Sequence, residues 1–314
     1  MIERRKIKHI ALVGTGTIGG SFCAHFLARG YQVTATDPAP DGEAKLRAFV
    51  ARIWPQLREI GATKLDAPPP FAFVRDVASC VKDADFVQEN APEIEALKIE
   101  VLAEIDAAFP KERVIASSTS ALVMTRLALK CMHPERCILA HPFNPPHLVP
   151  LMELAGGERT DPAAIDLAEA FYAEAGLKPV RLKREIYGHI ANRLQYVVWN
   201  EAVQMVLQGY CTAADVDAAI TEGPGRRWAF IGPFLSYMLA GGEGGLKRTF
   251  EMFGPRDTMA VDRASRIRLT PEQQKILIDQ VEEMLNGRTP ADMARARDAR
   301  LVELAKIKNT FERN

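Results

Sequence analysis

The stretch HIALVGTGTIGGSFCAHFLARGYQVTATD (9–37) decides the fold. HIALVG (9–14) is an unbroken apolar run that stops at a glycine, as expected of a parallel strand buried on both faces. Gly14-Thr15-Gly16-Thr17-Ile18-Gly19 follows at once as GxGxxG, and residues 17–29 then read as a helix. YQVTATD (31–37) is rich in β-branched residues and ends in an acid. A strand, this glycine turn, a helix and a second strand with a terminal acid form the context in which GxGxxG predicts a dinucleotide site. Gly14 permits the tight turn, Gly16 lets the backbone approach a pyrophosphate, and Gly19 lets helix and sheet pack closely. The helix start at Thr17 and Ile18 offers unpaired N–H groups and a partial positive charge to the phosphates. Asp37 would accept hydrogen bonds from the adenosine ribose. It would repel a 2′-phosphate, and no arginine follows it before Arg47, so the expected cofactor is NAD rather than NADP.

Outward from this unit the same style continues. FAFV (71–74), DFVQE (85–89), RVIASS (113–118) and CILAH (137–141) are short apolar runs. Between the second and third of these lies EIEALKIEVLAEIDAAF (93–109), a helix placing Ile94, Leu97, Val101, Leu102 and Ile105 on one face. LVPLMEL (148–154) and LKPVRL (177–182), with a helix at 161–175 between them, extend the sheet. Strands alternating with helices predict an α/β fold: a Rossmann-type, doubly wound, mostly parallel sheet. After about residue 183 the strand signal stops. YGHIANRLQYVVWNEAVQMVLQGY (187–210) reads as a long helix, apolar on most sides. TAADVDAAITEG (212–223) carries a threonine cap and a glycine stop, TPEQQKILIDQVEEMLNG (270–287) a threonine cap and Pro271, and 290–313 reads as a charged helix. The expected organisation is a cofactor-binding domain over 1–183 and an all-α C-terminal domain over 184–314, for substrate binding and dimerisation.

The chain has 314 residues, with 40 Lys+Arg and 40 Asp+Glu. That balance offers no global attraction to nucleic acid or to an anionic membrane surface. No stretch approaches the ~20 apolar residues of a membrane span. Arg4-Arg5-Lys6 ahead of the first apolar run superficially resembles a signal peptide, but the run is short and broken by glycines. Five scattered cysteines are not a disulfide framework, so a reducing cytoplasm is expected. Cys131, His133 and Cys137 are one ligand short of a zinc site, and no metal is assigned.

His141 ends an apolar strand and begins HPFNPPH; Glu153 follows twelve residues later in LVPLMELAGG. An enzyme that removes hydride from an alcohol carbon needs a base for the hydroxyl proton. Histidine, with an ordinary pKa of ~6.5, suits that exchange. A carboxylate among apolar neighbours needs a partner, and an imidazole N–H is one.

At this point the chain resembles the 3-hydroxyacyl-CoA dehydrogenase family. The matching elements are SSTSA with Ser120, HPFNPP with His141, then Glu153, and GHIANRL with Asn192, in the family's order and spacing over roughly 9–260. The resemblance implies His141 as general base and Glu153 as its orienting acid. It implies that Ser120 and Asn192 hold the substrate oxygen and help position the nicotinamide. It also places Glu89 and Lys98 with the cofactor-binding residues.

Within the family, GPGRRWAFIGPFLSYMLAGGEGG (223–245) resembles the branch acting on L-carnitine and, less closely, λ-crystallin, an L-gulonate 3-dehydrogenase. The short, Pro-rich arm at 38–70 fits a small substrate. Trp228, Phe230, Phe234 and Tyr237 lie within ten residues, and aromatic faces attract quaternary ammonium groups. Arg226 and Arg227 suit a small carboxylate. The same aromatics at helical spacing equally read as core. The expected reaction is NAD-dependent oxidation of a small 3-hydroxy acid, L-carnitine first, by a homodimer. A short-chain 3-hydroxyacyl-CoA or L-gulonate enzyme and a crystallin-like NADH-binding protein are the alternatives.

Overall fold

The computed structural model describes residues 2, 6–253 and 269–311. Arg4, Arg5 and the ends of the stretches read to 260 and 313 lie outside them. The chain forms two compact units, Met1–Asn192 with Ala294–Asn314, and Arg193–Met293.

The first unit is built on one eight-stranded sheet. Its elements run β1 (His9–Val13), α1 (Thr17–Ala28), β2 (Gln32–Thr36), α2 (Gly42–Glu59), β3 (Ala72–Val74), α3 (Val77–Val81), β4 (Phe86–Glu89) and α4 (Glu95–Ala108). They continue through β5 (Ile115–Ser117), α5 (Met124–Leu127), β6 (Cys137–Pro142), β7 (Leu151–Gly156), α6 (Pro162–Glu174) and β8 (Lys178–Arg181). The strand order is β3-β2-β1-β4-β5-β6-β7-β8, and every described pairing is parallel except β6 with β7. Side chains alternate across the sheet. Ile10, Leu12, Val33 and Ala35 enter one core with Phe22, Phe26, Trp54 and Phe171. Ala11, Val13, Val87 and Ile115 enter the other with Val81, Leu102 and Ile105. Covering both faces explains why β1 and β6 carry unbroken apolar runs. The order reverses between β1 and β4, and that switch point is where open α/β sheets bind ligands.

Several local expectations shift. β7 begins at Leu151 rather than 148, because the N–H groups of Leu148 and Val149 both turn back to the Pro145 carbonyl at 2.9 Å. On α4 the buried residues are Lys98, Leu102, Ile105 and Asp106, while Ile94 and Leu97 are exposed. The buried stripe is rotated toward two polar anchors: Lys98 pairs with Glu89, and Asp106 pairs with Arg136 at 2.7 Å.

The chain then forms α7 (Ala191–Leu207), α8 (Ala213–Glu222), α9 (Pro224–Trp228), α10 (Pro233–Ala240), α11 (Gly245–Phe253), α12 (Pro271–Leu285) and α13 (Pro290–Phe311). The long helix starts at Ala191, not 187. Gly188 and His189 have φ of 73° and 48°, which a right-handed helix cannot accommodate. Of α7, Asn200, Val203 and Val206 are buried, while Leu194, Tyr196, Val197, Val198, Trp199 and Met205 are exposed. Thr212 and Thr270 cap α8 and α12 through reciprocal side-chain and backbone bonds. The compact units also differ from a single boundary at 183/184, because residues from Ala294 onward group with the sheet. There Val302 is buried and Lys306 reaches Glu59 at 2.5 Å.

Candidate active site

The glycine turn lies at the β1 end of the switch point. Gly14 has φ of +90°, and a Cβ there would come within 2.7 Å of the Asn90 carbonyl, so only glycine fits. A Cβ on Gly19 would meet the Gly14 carbonyl at 2.0 Å, which is why α1 can approach the turn so closely. Gly16 behaves differently. It is exposed, and a Cβ built on it meets nothing within 4 Å. The space above it is open, and α1 starts there with no side-chain cap on its N-terminal N–H groups. Thr17 is exposed and Ile18 half-buried at this helix start. Asp37 stands just past the end of β2, with Oδ2 accepting from the Thr15 N–H at 2.8 Å and its hydroxyl at 3.0 Å. An uncapped helix start, a glycine-rich turn and a fixed carboxylate fit a dinucleotide's pyrophosphate and ribose.

Glu89 and Lys98 are sealed from solvent and pair at 2.9 Å. Glu89 also accepts from the Ala91 N–H at 2.6 Å and from the Ser117 hydroxyl. The sequence reading missed Glu93, which connects this buried pair to the next loop. One of its oxygens lies 3.7 Å from Lys98 Nζ. The other accepts from the Thr119 hydroxyl at 2.6 Å and from the N–H groups of Ser120 and Ala121 at 2.9 and 3.0 Å. Burial pushes the Glu93 carboxyl up, but these donors and Lys98 outweigh it and hold it below the usual range.

His141 and Glu153 are register partners across the antiparallel β6–β7 pair. Directly opposed residues share a face of the sheet, so the twelve-residue spacing becomes a contact. His141 Nδ1 lies 2.9 Å from Glu153 Oε2, and both side chains are buried. The second Glu153 oxygen accepts from the N–H groups of Ile190 and Ala191 at 2.9 and 3.0 Å, at the start of α7. Burial alone would raise the Glu153 pKa. The His141 bond and the two backbone donors outweigh it, so the carboxyl is held low and ionised. An ionised carboxylate only accepts, so the Nδ1 hydrogen of His141 is donated to Glu153. Nε2 has no hydrogen-bond partner among the described residues.

The same network reaches the other two residues. Asn192, on the first turn of α7, donates from Nδ2 to the Ser120 carbonyl at 2.9 Å, while the Ser120 hydroxyl has no partner among the described residues. Ser120, His141, Glu153 and Asn192 are therefore joined through α7 and the 119–121 loop. His189 is a further residue not singled out from the sequence. It is buried, its ring centroid is 5.1 Å from that of His141, and its two nitrogens face the carbonyls of Thr119 and Ile186 at 3.1 and 3.2 Å. Burial and the neighbouring His141 hold its pKa down.

Arg227, Trp228, Phe230, Phe234 and Tyr237 belong to the second unit. The four aromatics are exposed, from 44% for Trp228 to 80% for Phe234, so they do not form the core of that unit. Arg226 pairs with Glu222 on the surface. Among the described residues, no group of three or more His, Cys, Asp or Glu could hold a metal ion, and no helix is long and apolar enough to cross a membrane.

Family models place this chain. Residues 9–186 match the NAD binding domain of 3-hydroxyacyl-CoA dehydrogenase, and residues 188–270 match its C-terminal domain. An L-carnitine dehydrogenase of Streptomyces griseus is 45% identical over 98% of this chain and 92% of its own length. That of Bacillus cereus is 42% identical over 97% and 93%. Among solved structures, 5-formyl-3-hydroxy-2-methylpyridine 4-carboxylic acid 5-dehydrogenase, an NAD+ dependent dismutase, superposes with a TM-score of 0.82 at 28% identity, covering 98% of this chain and 99% of that one. The chain belongs to the 3-hydroxyacyl-CoA dehydrogenase family and is an NAD-dependent dehydrogenase.

Proposed function

We propose that this enzyme oxidises the 3-hydroxyl of L-carnitine to give 3-dehydrocarnitine. The reading is supported by relatives of that name at 45% and 42% identity along nearly the whole chain. The observation that carries its chemistry is the buried His141–Glu153 pair. When bound, NAD supplies the hydride acceptor for C3. Gly14, Gly16, Gly19 and the N–H groups of Thr17 and Ile18 hold its pyrophosphate, and Asp37 its ribose. Glu89 and Lys98, being sealed from solvent, act indirectly by fixing the chain between β4 and α4.

His141 takes the hydroxyl proton at Nε2 as the C3–H bond breaks. Glu153 fixes the tautomer in advance and stabilises the imidazolium that results. Ser120 donates its hydroxyl to the substrate oxygen, and Asn192 holds the Ser120 loop to α7. Within the second unit, Arg227 suits a small carboxylate, and Trp228, Phe230, Phe234 and Tyr237 offer ring faces suited to a trimethylammonium group. The exposed Leu194, Tyr196, Val197 and Trp199 form the contact of a homodimer. Free thiols at Cys23, Cys80, Cys131, Cys137 and Cys211 fit a reducing cytoplasm.

The test is NADH formation with L-carnitine, L-gulonate and 3-hydroxybutyryl-CoA in parallel. Turnover with L-carnitine at the highest kcat/KM supports the reading. Activity confined to the thioester or to gulonate overturns the substrate, and NADH binding with no turnover of any of the three overturns the enzymatic reading.

A further inference from the structure

Beside the glycine turn runs a polar chain that takes no part in the reaction proposed above. It starts at Tyr172 on α6, passes Gln88 on β4 and Ser118 just past β5, and ends at Asn90 just past β4. Tyr172 and Gln88 are fully buried, and Ser118 and Asn90 are half-buried. Polar side chains in an apolar core are costly unless their atoms are paired.

The direction of every bond follows from one atom. Asn90 Nδ2 lies 3.0 Å from the backbone carbonyl of Gln88, which can only accept, so Nδ2 is the donor there and Oδ1 is the end turned to Ser118. Ser118 Oγ lies 2.7 Å from that oxygen and gives its single hydrogen to it. Toward Gln88 the hydroxyl can then only accept, so Gln88 presents Nε2 to it, at 2.8 Å. The other end of that amide, Oε1, is left as an acceptor, and the Tyr172 hydroxyl donates to it. Burial pushes the Tyr172 phenol well above its ordinary range, so it keeps the hydrogen that it donates. The set closes in one orientation, and Tyr172 is the donor that completes it.

The far end meets the turn. The Asn90 N–H donates at 2.7 Å to the carbonyl of Val13, directly before Gly14. A Cβ on Gly14 would strike the Asn90 carbonyl at 2.7 Å, and one on Gly19 would lie 3.4 Å from Asn90 Nδ2. Asn90 therefore packs against both glycines at the switch point between β1 and β4.

We propose that Tyr172 is a positioning residue for the dinucleotide: by donating to Gln88 it holds Ser118 and Asn90 in the one arrangement that keeps the wall of the glycine turn in shape for the cofactor. Without the phenol hydrogen, Gln88 Oε1 is bare in the core. The amide is then free to turn over, whereupon Ser118 gives its hydrogen to Oε1 and Asn90 Oδ1 loses its donor. The inference rests on the glycine turn as the cofactor's seat, as proposed above.

The experiment is fluorescence titration with NADH, beside a thermal melt, on the wild type, Tyr172→Phe, Ser118→Ala and the double variant, with Phe171→Leu and Gly16→Ala as controls. Tyr172→Phe and Ser118→Ala are each expected to weaken NADH binding about fivefold, the contribution of one neutral hydrogen bond. The double variant is expected to lose about fivefold as well, not the roughly 25-fold of independent effects. Phe171→Leu, a core truncation on the same helix, is expected to lower Tm and leave NADH affinity unchanged, which separates positioning from stability. Wild-type affinity in either single variant, multiplied losses in the double variant, or weakened binding in Phe171→Leu overturns the proposal. Ser118→Ala, at a half-buried position, carries the test should Tyr172→Phe not fold. Wild-type affinity in Gly16→Ala overturns the seat and the proposal with it, whereas weakening in Gly16→Ala alone overturns only the proposal.

Discussion

His141 and Glu153 face each other across β6 and β7, with Nδ1 to Oε2 at 2.9 Å, and the same carboxylate receives the first N–H groups of α7. One buried acid thus fixes both the His141 ring and the helix that carries Asn192. Glu153→Gln keeps the shape but loses the charge that selects the tautomer and stabilises the imidazolium. Its kcat is expected to fall about 100-fold, with a smaller change in KM, measured by steady-state NADH formation. An unchanged kcat would remove Glu153 from the mechanism.

The same acid has a stability signature. Its pKa is lower folded than unfolded, so its contribution is present above the unfolded carboxyl value of ~4.3 and is lost as pH falls through the folded value. The difference in Tm between wild type and Glu153→Gln is expected to be largest near neutrality and to shrink below about pH 4. A difference that is flat with pH would mean that Glu153 is not held ionised by its partners.

Gly16 separates folding from cofactor binding. A methyl group there meets nothing in the chain, and the residue's φ of −63° suits alanine. Gly16→Ala is expected to melt with the wild type yet bind NADH at least about tenfold more weakly, because the methyl group enters the open space proposed above for the pyrophosphate. Fluorescence titration beside a thermal melt reads both. Gly14→Ala is expected to lose stability, since φ is +90° and the Asn90 carbonyl is only 2.7 Å away. Wild-type NADH affinity in Gly16→Ala would place the dinucleotide elsewhere.

The turn, Asp37 and the first strands were legible in the sequence because their signals are local: glycines at fixed offsets, a strand before and an acid after. The His141–Glu153 spacing was legible because two strands and a connection convert it into one register pair. Glu93 and His189 were not. Glu93 meets the Thr119, Ser120 and Ala121 groups, and His189 meets the Thr119 carbonyl and the His141 ring, all tens of residues away, and no spacing marks such long-range partners. The buried face of α4 was misread toward Ile94 and Leu97 for the same reason. Its rotation is set by Glu89 and Arg136, which helical periodicity does not contain. The grouping of residues from Ala294 onward with the sheet depends on long-range contacts such as Lys306 with Glu59.

Two buried histidines set a separate acid limit. Burial lowers the pKa of His25 to about 3 and of His147 to about 4, against an ordinary ~6.5. Around His147, Asp298 favours its charged form, while Arg52 and Arg297 oppose it. Between the folded and unfolded values the unfolded chain binds more protons, so stability is lost as pH falls from about 6.5 toward 4. Each histidine contributes a slope of up to about 1.4 kcal/mol per pH unit. Denaturant unfolding of His147→Gln is expected to show a shallower slope than the wild type over that window. An equal slope would mean that His147 titrates normally in the fold.

The most direct test is NADH formation from L-carnitine by the wild type and by His141→Ala, with NADH affinity measured on both. Turnover by the wild type, a loss of about a thousandfold in His141→Ala and equal NADH affinity are the expected result. Undiminished turnover in His141→Ala, or no NADH from L-carnitine with the wild type, would contradict a histidine base acting on that alcohol.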